Sequence, residues 1–151
     1  MNTDNTMLGS PEEEFLKHGT YATNTVGVSM RPLFKTHRDV VVLKKADKPL
    51  SKYDVAMYVT PDGKYILHRI IGVKDDVYVF RGDNTFSKEY VPKRAVIGYM
   101  VSFNRNGKRH KTEEFGYRFY SRFWNFIYPV RKLILLIRIL LVKIKNEIFG
   151  K

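Results

Sequence analysis

The sequence contains no cysteine among its 151 residues. Disulfide bridges, thiolate catalysis and cysteine-bound zinc are therefore excluded, although a lack of disulfides does not name a compartment. Histidine is sparse, at 18, 37, 68 and 110, and no H-E-x-x-H pattern occurs, so neither a metal site nor a cofactor is expected. Glycine-rich nucleotide loops, a βαβ period and internal repeats are also missing. Acidic residues thin out towards the C-terminus. Residues 1–104 hold 15 basic and 12 acidic side chains, whereas residues 105–151 hold 12 basic and 3 acidic ones. The net charge of +12 is thus mainly a property of the C-terminal segment, a composition suited to anionic lipid or nucleic acid. Residues 1–20 are polar and acidic in the middle, so no secretory leader is expected in them.

What is present reads as three regions: a polar N-terminal segment over 1–20, a domain over 21–108, and a basic, aromatic and apolar helical tail over 109–151. Ser10 and Pro11 suit the start of a short helix over Glu12–His18. Tyr21–Ser29 reads as a strand leading into a turn. Apolar runs at Asp39–Leu43, Asp54–Val59, Lys64–Val73, Val77–Arg81 and Ala95–Phe103 read as strands. Pro61-Asp62-Gly63 and Asp75-Asp76 supply turns between them. Short strands at this spacing predict a mainly β, antiparallel domain of barrel-like or sandwich form.

Three stretches stand apart from the strand pattern: Gly27-Val28-Ser29-Met30-Arg31-Pro32, Leu67-His68-Arg69 and Arg81-Gly82-Asp83-Asn84. Gly27 allows tight backbone geometry, and Pro32 restricts the residue before it. Such a turn can hold the Ser29 hydroxyl rigidly at a surface. A serine hydroxyl attacks only when a base takes its proton. His68 is the candidate base, because a free imidazole titrates near ~6.5 and this one sits in a strand. Asp83 is the candidate carboxylate for the other ring nitrogen, although Gly82-Asp83-Asn84 also reads as a plain turn. Met30 reads equally as core filler or as support for the nucleophile turn. Arg69 reads as a partner of Asp83 or Asp39, or as solvated.

These stretches resemble the boxes of the signal peptidase I superfamily, which includes the self-cleaving repressor peptidases. Ser29-Met30-Arg31-Pro32 resembles its Ser-Met-x-Pro nucleophile box, Ile66–Val73 the box of the general base, and Arg81–Thr85 the Gly-Asp-Asn box, in order and at similar spacing. A histidine at 68 resembles the endoplasmic-reticulum-type branch. The resemblance implies a barrel-like β fold and a peptidase with Ser29 as nucleophile, His68 as general base and Asp83 as orienting carboxylate. It further implies site support from Gly27, Thr25, Met30 and Pro32, and outer contributions from Arg69, Gly82 and Asn84. Gly27 has no side-chain donor, so the oxyanion is expected to rely on backbone N–H groups or on Thr25. The substrate expected is an extended, leader-like or signal-like peptide. The alternative is a non-catalytic, peptidase-like binding or regulatory protein that engages anionic lipid or nucleic acid through its basic tail.

The tail shapes the remaining expectations. Leu133–Val142 is apolar apart from Arg138, too short to span a bilayer, which takes ~20 apolar residues. With Trp124, Tyr128 and flanking cations, residues 123–149 suggest attachment to membrane lipid, either in the interface or as a short anchor, and hence location at a bacterial cell membrane. The other reading is a helix packed across the β domain or in a dimer. Nucleic acid is disfavoured as a partner, because about 20 residues before the first strand are too few for a helix-turn-helix.

Overall fold

A computed structural model describes residues 9–149. The chain starts with α1, Pro11–His18, whose N-terminus is closed by a reciprocal Ser10–Glu13 capping box. Eight strands follow: β1 (Thr20–Asn24), β2 (Val40–Lys45), β3 (Val55–Val59), β4 (Tyr65–Val73), β5 (Val77–Arg81), β6 (Glu89–Pro92), β7 (Val96–Arg105) and β8 (Lys108–Lys111). Two helices end the described chain, α2 (Phe115–Phe126) and α3 (Tyr128–Phe149).

All strand pairs are antiparallel, and the spatial order is β1-β2-β7-β3-β4-β5-β6. Strand β7 is long enough to pair with β3 along one half and with β8 along the other. Strands β1 and β6 are the two ends of this order and do not pair. The sheet is therefore open, which corrects the barrel-like, mainly β fold expected from strand spacing. The described architecture is an open sheet combined with helices.

The sheet separates two cores. One contains Phe15, Met30, Phe34, Val41, Leu43, Val55, Met57, Met100 and Phe103. The other contains Leu50, Ala56, Tyr58, Ile70, Tyr78, Phe80, Val91 and Val96. Central strand β3 contributes alternate residues to both, which is why Val55, Ala56, Met57 and Tyr58 are all buried. The same alternation governs β4. His68 lies opposite Ala56 and belongs to the Tyr58 and Phe80 face, whereas Arg69 lies opposite Val55 on the other face.

Helix α2 covers the Arg69 face. Tyr117, Tyr120, Ser121 and Trp124 recur at i, i+3, i+4 and i+7, forming one stripe of the helix. The first three touch Arg69 or Asp83 through their hydroxyls, and the Trp124 indole N–H donates to the Asp83 carbonyl at 2.8 Å. At the start of α3, Arg131 stacks 3.8 Å from the Trp124 ring centroid, and Tyr128 lies 3.4 Å from the Arg81 guanidinium. Side chains expected at lipid headgroup level are thus spent on the sheet.

The expectation of membrane lipid contact through residues 123–149, and of location at a bacterial cell membrane, is corrected accordingly. Among the described residues no helix is long and apolar enough to cross a membrane. Helix α3 is not a long apolar helix, since Arg131, Lys132, Arg138, Lys143, Lys145 and Glu147 interrupt it, which corrects the hydrophobic basic helix expected to attach to lipid. A charged residue at the centre of a spanning helix costs ~3 kcal/mol.

Candidate active site

The Ser29 turn is built by the irregular segment between β1 and β2. Gly27 takes φ +84°, a left-handed conformation that side chains disfavour, and its carbonyl accepts a hydrogen bond from the Thr36 hydroxyl. Thr25 is buried, and its hydroxyl donates to the Lys35 carbonyl at 3.3 Å. Asp39 closes the segment. It accepts from the Arg38 guanidinium and from the Lys35 and Asn106 backbone N–H groups, at 2.6 to 3.2 Å. Burial alone pushes the Asp39 carboxyl up, but these donors outweigh it and hold it down at about 2. Leu33 and Phe34 sink into the core behind the turn, and Met30 does the same while also lining the cleft in front of it. Pro32 is exposed on the outer side.

The Gly82–Asn84 segment carries this turn. The Asn84 backbone N–H donates to the Ser29 carbonyl at 2.7 Å, and its side-chain amide donates to the Val28 carbonyl at 3.2 Å. Gly82 sits where the two other stretches converge. A Cβ at this position would lie 2.7 Å from the Ser29 carbonyl oxygen and 3.1 Å from His68 Nε2. Only a residue without a side chain lets the serine turn and the imidazole approach the end of β5 together. The three stretches singled out in the sequence are thus contiguous in space.

His68 is buried with its ring nitrogens on different neighbours. Nε2 faces Gly82 beside the Ser29 turn, while Nδ1 lies 2.7 Å from Glu89 Oε2. The same carboxylate oxygen accepts from the Tyr58 hydroxyl at 2.6 Å. Burial, and then the Glu89 charge, raise the Tyr58 phenol well above its ordinary range, so it stays a donor. Ser29 Oγ makes no hydrogen bond among the described residues, and the Ser29 backbone N–H likewise donates to none of them.

Asp83 is not the partner of His68, which corrects its expected role as the orienting carboxylate. Its two oxygens accept from Arg69 Nε and Nη2, each at 2.8 Å, and one also accepts from the Tyr120 hydroxyl at 2.9 Å. Arg69 is fully buried, and its remaining Nη1 donates to the Tyr53 carbonyl, the Tyr117 hydroxyl and the Ser121 hydroxyl. Burial alone lowers the guanidinium pKa, but the Asp83 charge outweighs it and raises the group above its usual value. The geometric reason is strand alternation. Asp83 belongs to the Arg69 face, and Glu89, opposite Phe80 in the β5–β6 pair, belongs to the His68 face. Glu89 lies in a strand of only four residues that its sequence does not announce, and Tyr58, though in a strand the sequence shows, gives no sign of its partner. The register of β5 against β6 is the signal that reveals them.

A cleft of about 310 Å³ opens beside the turn. Its lining includes Ser29 and His68, the apolar Met30, Val41, Met57 and Leu67, and Tyr21, Thr23 and Asn24 of β1 with Thr25 and Val26 after it. The Thr25 N–H bonds the Asp39 carbonyl and the Lys45 N–H bonds the Gly19 carbonyl. This phase turns the backbone groups of Ala22 and Asn24 away from β2, towards the free edge of the sheet. Among the described residues no group of three or more His, Asp or Glu side chains could hold a metal ion.

Compared with known protein families, with curated proteins and with solved structures, the chain matches none.

Proposed function

We propose that the chain is a serine endopeptidase that cleaves extended peptides, leader-like segments among them, through an acyl-enzyme formed on Ser29. The observation that carries this reading is the convergence at Gly82 of the Ser29 turn and the Nε2 side of a buried histidine, next to an apolar cleft with a free strand edge. A peptide strand adds to β1 through the outward backbone groups of Ala22 and Asn24, and side chains from one of its faces enter the cleft.

Ser29 Oγ attacks the scissile carbonyl while His68 Nε2 takes its proton. The developing oxyanion accepts from the Ser29 N–H, which has no partner among the described residues. His68 then gives the proton to the leaving amine, and water hydrolyses the ester by the same route. Free enzymes often lack the nucleophile–base hydrogen bond and form it with substrate in place.

Cleavage of a panel of leader-like peptides tests this reading. Ser29→Ala and His68→Ala are each expected to lower kcat by at least ~10³-fold, since such groups act as a unit. Cleavage at the parental rate by either variant rules the Ser29–His68 mechanism out, and no cleavage by the parent leaves a peptide-binding protein of similar shape.

A further inference from the structure

We infer that Glu89, held by Tyr58, is the positioning carboxylate for His68. The inference rests on the Ser29–His68 reading and adds to it a residue outside all three sequence boxes.

Three observations on the His68 face combine. Glu89 Oε2 is 2.7 Å from His68 Nδ1, a charge-assisted distance, so the carboxylate selects the tautomer with hydrogen on Nδ1. That leaves the Nε2 lone pair on the side of Gly82 and the Ser29 turn. Glu89 is itself fixed, because Tyr58 donates to the same oxygen at 2.6 Å and packs edge-on against the His68 ring at 6.4 Å between centroids. The titratable side chains in contact with the imidazole are Glu89 from β6 and Tyr58 from β3. The Gly82 segment meets it with a residue lacking a side chain. Asp83, the other carboxylate nearby, is occupied by both donors of Arg69 on the opposite face.

During acylation the imidazole gains the serine proton on Nε2 and becomes a cation. Glu89 keeps its charge and stabilises that cation through Nδ1–H, and the same proton then leaves Nε2 for the amine. A glutamine at 89 offers no charge, and its amide can turn an N–H towards Nδ1, favouring the opposite tautomer. The Glu89 side chain is 38% exposed, so Glu89→Gln buries no new unpaired group and leaves folding intact.

The test follows covalent labelling of Ser29 by a fluorophosphonate probe, together with peptide cleavage, from about pH 5 to 9. Glu89→Gln is expected to slow labelling and kcat by ~100-fold or more with little change in KM. Glu89→Asp should recover part of the rate, and Tyr58→Phe should lose roughly three- to tenfold, the worth of one hydrogen bond. A parent labelled at Ser29 alongside a Glu89→Gln variant with the parental rate overturns the role of Glu89 alone. A parent that the probe does not label at Ser29 overturns the peptidase reading, and this inference with it.

Discussion

At the scale of single residues, the site depends on an atom that is missing. Gly82 leaves room for the Ser29 carbonyl and His68 Nε2, which a methyl group would meet at 2.7 and 3.1 Å. The first of these contacts is with backbone, which yields poorly. Gly82→Ala is therefore expected to destabilise the fold by about 1–3 kcal/mol, as overpacking does. It should also lower probe labelling of Ser29 more than the stability loss explains, because the serine turn must shift away from the imidazole. Thermal unfolding and labelling measured on the same preparation check both parts. The contrast with Gly27 is informative. A Cβ there meets nothing within 4 Å, so that glycine serves a φ of +84° rather than a close approach.

At the scale of elements, α2 is the cover of a buried ion pair. Arg69 and Asp83 repay their desolvation only with the hydroxyls of Tyr117, Tyr120 and Ser121 in place. A chain ending after Lys132 retains these contacts and should unfold within a few degrees of the parent. One ending after Glu114 leaves the pair under-satisfied, at a cost of about 3–5 kcal/mol, and should unfold more than ~10 °C lower or fail to fold. Thermal scans of the two shortened chains decide this. Legibility of the fold also divides by element. Strands β2 to β5 and β7 were visible because Val, Ile and Tyr alternate or cluster between turn residues. Strands β6 and β8 were not, because Glu89-Tyr90-Val91-Pro92 is short and ends in proline, Lys108-Arg109-His110-Lys111 is short and basic, and the order of both comes from pairing with β5 and β7. The aromatic spacing of α2 was legible, but its partner was not. A guanidinium buried under tyrosines leaves no mark in composition, so the stripe suggested lipid instead. Ser29 and His68 could be singled out by turn chemistry and by the resemblance of their boxes, whereas the close approach at Gly82 needed the fold. Glu89 required knowing which strand face it shares.

At the scale of the whole molecule, the loop that carries Ser29 is tied to the adjoining turn between β7 and β8 through Asp39. That carboxylate binds Arg38, the Lys35 N–H and the Asn106 N–H of the turn between β7 and β8. Its folded value of about 2 lies below its ordinary 3.8. The stabilisation is therefore fully present above pH ~4 and is lost as pH falls through about 2. It amounts to about 2 kcal/mol. The midpoint of unfolding should decline over that window in the parent and decline less in Asp39→Asn, which has no charge to lose.

The division of labour across the sheet turns on two neighbours in β4. His68 looks into the chemistry and Arg69 into the scaffold, one backbone step apart. If the pairing of β4 slid by a single position, the imidazole would arrive under the aromatic helix and the guanidinium at the serine. The molecule would then hold a cation where it needs a base, and its buried acid would lose its counter-charge. Strand β4 is therefore a place where the order of two neighbouring side chains matters as much as their identity.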